Sequence, residues 1–145
     1  MAIELVVVTP TGETLSEEVE QVVLPGEAGE FGVLESHERF LTPLRLGPMQ
    51  IIRSGGTSGG GGSVANSEWA ALSEGFAEVD GSRVVVLVDT CLRASEIDRE
   101  AAEARRVEAS DQLAQLPDDE EHAGERARLA VIVARAELEL DVAGR

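Results

Sequence analysis

The sequence predicts a β + α protein, in which a small β-sandwich or barrel is followed by an antiparallel hairpin of two helices. Short apolar segments separated by turn residues run through the first 88 residues, and closely spaced strands of this kind are typical of sandwiches and barrels. After Cys91 the apolar spacing changes from that of strands to that of helices. The predicted domains are therefore residues 1–90 for the β part and 91–145 for the helical hairpin.

The strands are predicted from apolar segments that end at proline, glycine or aspartate. Ile3, Leu5 and Val7 recur at every second position, which indicates a first strand with one well-buried face. Asp80-Gly81 is a typical hairpin signal, because glycine accepts the positive φ of a tight turn. The further predicted strands are 19–24, 41–46, 49–53, 69–73, 76–79 and 83–88.

Two glycine-rich segments interrupt these strands. Residues 25–34 place three glycines around Phe31, which indicates a sharply turning backbone with an anchored ring. Residues 54–63 consist of glycine and serine with one threonine, a composition typical of a flexible hairpin loop. A phosphate-binding loop is the alternative for residues 54–63, but no Lys-Ser/Thr pair or predicted helix start follows them.

Two amphipathic helices are predicted after residue 91. Ser95 is the predicted N-cap of the first, with Asp98 three residues later, and residues 117–119 end it. Its predicted apolar stripe consists of Ile97, Ala101, Ala104, Leu113 and Leu116. The second helix is predicted over about 121–142, and its stripe consists of Ala127, Val131, Ala134, Leu138 and Val142. Since much of this apolar surface is alanine, we expect the hairpin to dock weakly and to be capable of rearrangement.

The composition argues against several classes of function. The formal net charge is −16, and all 12 basic residues are arginine, so we expect neither nucleic-acid binding nor direct lipid insertion. Without lysine there is no P-loop lysine and no Schiff base. One cysteine, Cys91, and two distant histidines, His37 and His122, do not make the usual structural zinc site. We therefore predict no metal and no cofactor.

No membrane or secretion signal is predicted either. The longest apolar run, residues 84–88, is far shorter than a membrane span, and the first residues do not combine a basic start with an apolar run. We expect a soluble, intracellular protein in which Cys91 is a small core residue.

Several segments resemble the epsilon subunits of bacterial F-type ATP synthases, and together they extend over nearly the whole chain. The most specific is residues 24–34, Leu-Pro-Gly-Glu-Ala-Gly-Glu-Phe-Gly-Val-Leu, followed by His37. The other matching segments are 41–44 with Gly47, 75–79, 83–89, 96–98, Arg135-Ala136, Leu140 and 142–143. The resemblance implies that the β part is a ten-stranded sandwich of two sheets.

The resemblance also implies a function. Family members are non-catalytic rotor subunits that couple proton-driven rotation of the c-ring, through gamma, to ATP synthesis. The implied partners are gamma, the c-ring and, when the helical hairpin extends and opposes ATP hydrolysis, the alpha/beta catalytic hexamer. The implied location is the cytoplasmic face of the bacterial plasma membrane. In the family, the loop carrying Gly29, Glu30, Phe31 and Gly32 faces the ring, and the position of His37 lies near gamma.

Some family members bind ATP on the folded hairpin, and this chain matches their pattern only in part. The matching positions are Ile97, Asp98, Ala102 and Arg135. Ala101, Glu108 and Glu139 stand where the resemblance calls for arginine. Because a carboxylate beside a triphosphate reverses the sign of the interaction, we expect ATP to bind poorly or not at all.

Two functions unrelated to ATP synthase are the alternatives. One is a stand-alone β-sandwich protein-binding module whose helical hairpin is a partner site. The other is a small enzyme that uses His37 with Glu35 or Glu38, although no nucleophile or metal constellation accompanies them in the sequence.

Overall fold

The computed structural model describes residues 2–34, 37–53 and 66–145, without the side chains of positions 37 and 38. This part of the chain forms ten β-strands and two α-helices, which confirms the predicted order of a β-sandwich followed by a helical hairpin. Two compact units are present, Met1–Arg93 and Ala94–Arg145. Their boundary follows Arg93 because residues 91–93 form a last strand of the sheet. The predicted loop 54–63 lies outside the described residues.

The strands and helices have the following bounds. The strands are β1 (Ile3–Thr9), β2 (Gly12–Val19), β3 (Gln21–Gly26), β4 (Gly29–Val33), β5 (His37–Leu44), β6 (Gly47–Ile52), β7 (Ser67–Leu72), β8 (Gly75–Gly81), β9 (Arg83–Val88) and β10 (Cys91–Arg93). The helices are α1 (Arg99–Gln115) and α2 (Ala123–Ala143), preceded by short 3₁₀ helices at Ala94–Glu96 and Glu120–His122.

Hydrogen-bonded neighbours follow the order β10-β7-β6-β3-β5-β8-β9-β1-β2, and β4 pairs with β3 outside this path. Strands β1 and β9 are parallel, and the other pairs among the described strands are antiparallel. The first and last strands of the path, β10 and β2, are thus far apart along the sheet although both belong to one compact unit.

Strand β2 was not predicted, and the strand predicted over 19–24 corresponds to β3, which begins two residues later. Val19 ends β2, and β3 begins at Gln21. In β2 only Leu15 and Val19 are buried, so its polar sequence carries little apolar alternation. It is a strand because it pairs along β1, where Ile3 lies opposite Val19 and Val7 opposite Leu15.

The core of the β unit is aliphatic. Its largest fully buried side chains include Ile3, Leu5, Leu24, Met49, Ile51 and Leu72. Phe31 and Phe40 pack against this cluster, and Cys91 belongs to it, as predicted. Each fully buried aliphatic side chain contributes about 1.5–3 kcal/mol of transfer free energy, so this core can hold the sheet rigid with few aromatic residues.

The first helix begins later than predicted. Asp98, not Ser95, is the N-cap of α1, and its Oδ1 accepts a hydrogen bond from the backbone N–H of Ala101 at 3.1 Å. Ser95 lies within the 3₁₀ helix that precedes it. This 3₁₀ helix lies between β10 and α1, and α1 itself begins at Arg99, directly after its N-cap.

The packed faces of the two helices match the predicted stripes only in part, with Val142 buried as predicted. On α1 the buried residues are Ala102 and Ala109, whereas Ala101 and Ala104 are exposed. On α2 the buried residues are Leu129, Ala136, Glu139 and Val142, whereas Ala127 and Val131 are exposed. Alanines at neighbouring positions fit several helix faces equally well, so their spacing alone does not determine which face is packed.

The helices pack against each other as an antiparallel pair joined by a capped turn. Arg126 of α2 donates from Nη1 to the carbonyl oxygen of Leu116 at 3.3 Å. Asp119 Oδ1 accepts from the backbone N–H of His122 at 3.0 Å, which caps the 3₁₀ helix before α2. No helix in the described parts of the chain is long and apolar enough to cross a membrane.

Candidate protein interface

The predicted turning segment is a β-hairpin with a two-residue tip. Strands β3 and β4 pair so that Pro25 lies opposite Glu30 and Gly26 opposite Gly29, which leaves Glu27 and Ala28 at the tip. Gly29 has φ of +139°, a conformation that L side chains rarely adopt. The glycine at 29 is therefore required by the backbone, while the residues after it continue as a strand.

A second glycine of the hairpin makes room for the aromatic ring. A Cβ on Gly26 would lie 2.9 Å from the Cδ1 atom of Phe31 and 2.6 Å from the Gly29 carbonyl oxygen. The Phe31 ring meets the Phe40 ring edge-on, with centroids 5.7 Å apart and an interplanar angle of 62°. Phe31 thus anchors the hairpin on the core, and its neighbours on β4 are left to face outward.

The outer side of this hairpin is polar and accessible. Gly29, Glu30 and Gly32 are exposed, and β4 pairs only with β3 among the described strands. A Cβ on Gly32 would lie 2.7 Å from Nε2 of Gln21, so that side chain lies directly against the strand. The hairpin therefore presents the carboxylates of Glu27 and Glu30 on a short, well-anchored edge.

The other predicted interface position lies at the start of β5. The backbone of His37 pairs opposite Gly81, at the far end of β5 from Leu44. Its side chain, and those of Glu35 and Glu38, lie outside the described residues, so the enzyme alternative is not addressed by the geometry.

A patch that the sequence reasoning missed lies on the outer face of β5, β8 and β9. Leu41 is 64% exposed, Phe76 51% and Leu87 46%. Pro43 lies directly opposite Phe76, which in turn lies opposite Leu87. We call these four residues the outer patch. The available signal was the alternation in residues 41–44 and 75–79, which places Leu41, Pro43 and Phe76 on the side away from buried Leu44 and Ala77.

The positions of the predicted nucleotide pattern have structural roles in the helical unit. Asp98 caps α1, Ala102 is fully buried, and Ile97 and Arg135 are half-buried. Buried Glu139 accepts two hydrogen bonds from Arg105, at 2.9 Å from Nη2 and 3.3 Å from Nη1. This hydrogen bonding raises the pKa of Arg105 above its ordinary value, because the protonated guanidinium is the donor to Glu139.

No group of three or more His, Cys, Asp or Glu side chains is arranged to hold a metal ion within the described ranges. Among the described residues, the groups whose pKa departs from its ordinary value belong to ion pairs, such as Arg105 with Glu139 and Glu17 with Arg53.

Comparison with known proteins identifies the family. Residues 2–94 match the family described as ATP synthase, Delta/Epsilon chain, beta-sandwich domain. The ATP synthase epsilon chain of Anaeromyxobacter sp. (strain Fw109-5) is 37% identical over 146 residues, which cover all of both chains. The chain belongs to the ATP synthase epsilon chain family. The epsilon chain of Geotalea uraniireducens (strain Rf4) is 40% identical over 133 residues, or 88% of this chain and 89% of that one.

Solved structures agree with this epsilon-chain fold. A chain in the Euglena gracilis mitochondrial ATP synthase, in a structure of OSCP, F1 and c-ring in rotational state 1, has a TM-score of 0.75. It is 24% identical, and the match covers 99% of this chain and 82% of that one. The resemblance found in the sequence is thus confirmed, and with it the β-sandwich and helical hairpin.

Proposed function

We propose that this epsilon chain is a non-catalytic subunit of the central stalk of a bacterial ATP synthase, where it couples proton-driven c-ring rotation through gamma to ATP synthesis. Full-length similarity to bacterial epsilon chains supports this role. The fold likeness extends to a chain from a structure described as the Tetrahymena thermophila ATP synthase central stalk and c-ring, with a TM-score of 0.54 and 13% identity. The chain would then lie at the cytoplasmic face of the plasma membrane, held there by the complex.

The observation that carries the proposal is the outer patch. Leu41, Phe76 and Leu87 are large apolar side chains that a rigid sheet holds about half exposed or more. Contiguous exposed apolar side chains mark surfaces that a partner covers, because covering them removes apolar area from water. We propose that gamma covers the outer patch, which shares strand β5 with the predicted gamma-side position His37.

A matched pair of variants tests this surface. Phe76 and Leu34 are equally exposed, at 51%, but only Phe76 belongs to the outer patch. In the full chain, Phe76→Asp should weaken binding to gamma about tenfold or more, since a charge would be desolvated at the centre of the contact. Leu34→Asp should retain binding. Equal affinities of the two variants would contradict the proposed surface, and circular dichroism would confirm that both are folded.

We propose that the β3–β4 hairpin, with Gly29, Glu30, Phe31 and Gly32, is the side that faces the c-ring. Glu30 is exposed on an anchored strand, so its charge can act on a partner without affecting the core. Glu30→Arg should lower ATP-driven proton pumping by the assembled complex while leaving gamma binding unchanged. Glu13→Arg, which reverses an exposed charge on β2, is the control and should pump normally. Loss of gamma binding with Glu30→Arg would contradict the separation of the two surfaces.

The helical hairpin is proposed to contact the alpha/beta hexamer when extended, and not to sense ATP. Isothermal titration of the full chain should detect no micromolar binding of ATP, since Ala101 supplies no cation and the exposed carboxylate of Glu108 opposes a triphosphate. Ala101 and Glu108 are both exposed, so Ala101→Arg with Glu108→Arg should fold normally and gain measurable affinity. Micromolar binding by the unmodified chain would overturn this part of the proposal.

A further inference from the structure

A solvent-facing groove runs along α1 in the helical unit, with a volume of about 830 Å³. Its lining consists of Arg99, Glu100, Glu103, Ala104, Val107, Glu108 and Asp111 of α1 and Leu140 of α2. At 1.5 Å per residue, the lined part of α1 is about 18 Å long, or three helical turns.

The floor of the groove is apolar. Val107 is 43% exposed, Ala104 is exposed and Leu140 is half-buried, and all three line the groove. A valine at this exposure on a helix surface leaves apolar area in water that another apolar side chain could cover. The floor is narrow, since only one residue of α2 contributes to it.

The rim of the groove is acidic. Four carboxylates line it, and Arg99 is the one cation among the lining residues. Glu103 is ion-paired with Arg106, which lowers the pKa of Glu103 and compensates its charge, so the net negative charge of the rim comes from Glu100, Glu108 and Asp111. Gln112, a neutral donor, donates from Nε2 to Oε1 of Glu108 at 3.4 Å. The groove therefore combines an apolar floor with a net negative rim.

We propose that this groove is a docking site for a basic amphipathic helix of a partner protein. A helix laid along three turns of α1 would place its apolar stripe on Val107 and Leu140 and its lysines or arginines beside the rim carboxylates. This inference does not depend on assembly with gamma or the c-ring, because it rests on residues of the helical unit alone.

The negative charge of the rim favours a basic helix over other possible ligands of the groove. Anionic lipid headgroups and nucleic acids carry the same sign as the rim and are repelled by it. A second copy of this chain carries a net charge of −16 and the same acidic rim. Exposed ion pairs contribute only about 0–1 kcal/mol each, so recognition also requires the apolar floor, and a basic peptide without an apolar stripe should not bind.

The direct test uses designed peptides and the full chain. The probe is a fluorescein-labelled helix of about 14 residues with leucine along one face and lysine on both flanks. Fluorescence anisotropy should show saturable binding of this probe. A scrambled peptide of the same composition and a version with glutamate in place of lysine should not bind. Equal binding of the scrambled peptide would overturn the proposal, since it would show attraction by net charge alone.

Two matched sets of variants locate the binding on the groove. Val107→Asp should weaken probe binding about tenfold, whereas Val131→Asp, at a similar exposure of 40% but outside the groove, should not. Glu100→Gln with Glu108→Gln should weaken binding several-fold, whereas Glu13→Gln with Glu18→Gln on β2 removes the same charge without effect. If Val131→Asp and the Glu13/Glu18 double variant lower the affinity for the probe as much as the groove variants do, the groove is not the binding site of the probe. The glutamine variants decide the question even if an aspartate variant unfolds.

Discussion

Gly29 and Gly124 differ in whether the backbone conformation at their position requires glycine. A Cβ added at either position would meet no atom within 4 Å, so neither site is sterically closed. They differ in the backbone, because Gly29 has φ of +139° whereas Gly124 lies in the first turn of α2. Only the conformation of the main chain therefore decides what replacement by alanine does.

Alanine substitutions at these two glycines should change stability in opposite directions. Gly29→Ala should lower the free energy of unfolding by about 1–2 kcal/mol, because alanine is strained at this φ. Gly124→Ala should raise it by about 0.5–1 kcal/mol, since alanine loses less entropy in a helix. Urea unfolding of both variants gives the comparison, and a change of the same sign in both would contradict the assignment.

At the scale of residues, the sequence correctly predicted features that depend on a few neighbouring residues. Asp80-Gly81 predicted the β8–β9 hairpin, and Gly81 indeed has φ of +62°. The anchored ring of Phe31 was also predicted, and it packs on Phe40. Both Ser95 and Asp98 suit an N-cap, and the 3₁₀ helix that contains Ser95 has no local signal in the sequence, so the sequence favours the wrong one of the two.

Among the strands, one ion-pair cluster links elements that are distant along the sheet. Arg53 forms two hydrogen bonds to Glu17, both at 2.7 Å, and a third to Glu68 at 2.7 Å. Arg93 lies 3.6 Å from Glu17 and 3.9 Å from Glu68. We call these four residues the charge cluster. Since Glu17 is on β2 and Arg93 on β10, the cluster bridges the two ends of the strand order.

The charge cluster should make the β unit sensitive to acid. The hydrogen bond from Arg53 lowers the pKa of Glu17 below its usual range. The pKa of Glu17 is therefore lower in the folded protein than in the unfolded chain, where it is about 4.3, so its ionised carboxylate stabilises the fold above that pH. This stabilisation is lost as the pH falls through the folded-state pKa. Glu17→Gln should therefore cost about 1–2 kcal/mol at pH 7, and this difference from the unmodified chain should shrink below about pH 4.

Denaturant unfolding at several pH values measures this effect. Glu13→Gln, on the same strand but exposed, should change the free energy of unfolding little at any pH. A Glu17→Gln cost that stays constant down to about pH 2 would contradict the electrostatic origin of the effect.

The ion pair between α1 and α2 should respond asymmetrically to the loss of either partner. Glu139 is buried whereas Arg105 is about half-exposed. Arg105→Met leaves a buried carboxylate without this partner and should destabilise the hairpin by about 2 kcal/mol. Glu139→Gln leaves a guanidinium that can reach water and should cost about 1 kcal/mol or less. Thermal unfolding of the helical signal compares them, and the reverse order would be inconsistent with the observed burial.

At the scale of elements, the sequence did not show which distant segments pair with each other. Strand β2 is held by β1 rather than by its own apolar pattern, and the charge cluster joins residues up to 76 positions apart in the chain, from Glu17 to Arg93. The outer patch likewise becomes continuous only when β5, β8 and β9 are paired. The order of elements and the family, in contrast, followed from turn residues and the segment 24–34.

For the whole molecule, the division into two units predicts separable roles. The outer patch and the β3–β4 hairpin both belong to Met1–Arg93, so a chain lacking residues 94–145 should still assemble with gamma and the c-ring. ATP hydrolysis by the complex should then rise, if the helical hairpin opposes it as in the family. Unchanged hydrolysis, measured beside the complex with the full chain, would remove the inhibitory role but leave the coupling role intact.

The measurement that most directly tests the central claim is affinity purification of the tagged full chain from detergent-solubilised membranes of its native organism. The proposed stalk role predicts that gamma, the c-ring and the alpha and beta subunits are recovered with it. It also predicts that Phe76→Asp lowers the recovery of gamma while Leu34→Asp does not. Recovery of the tagged chain without any ATP synthase subunit would contradict the proposed function.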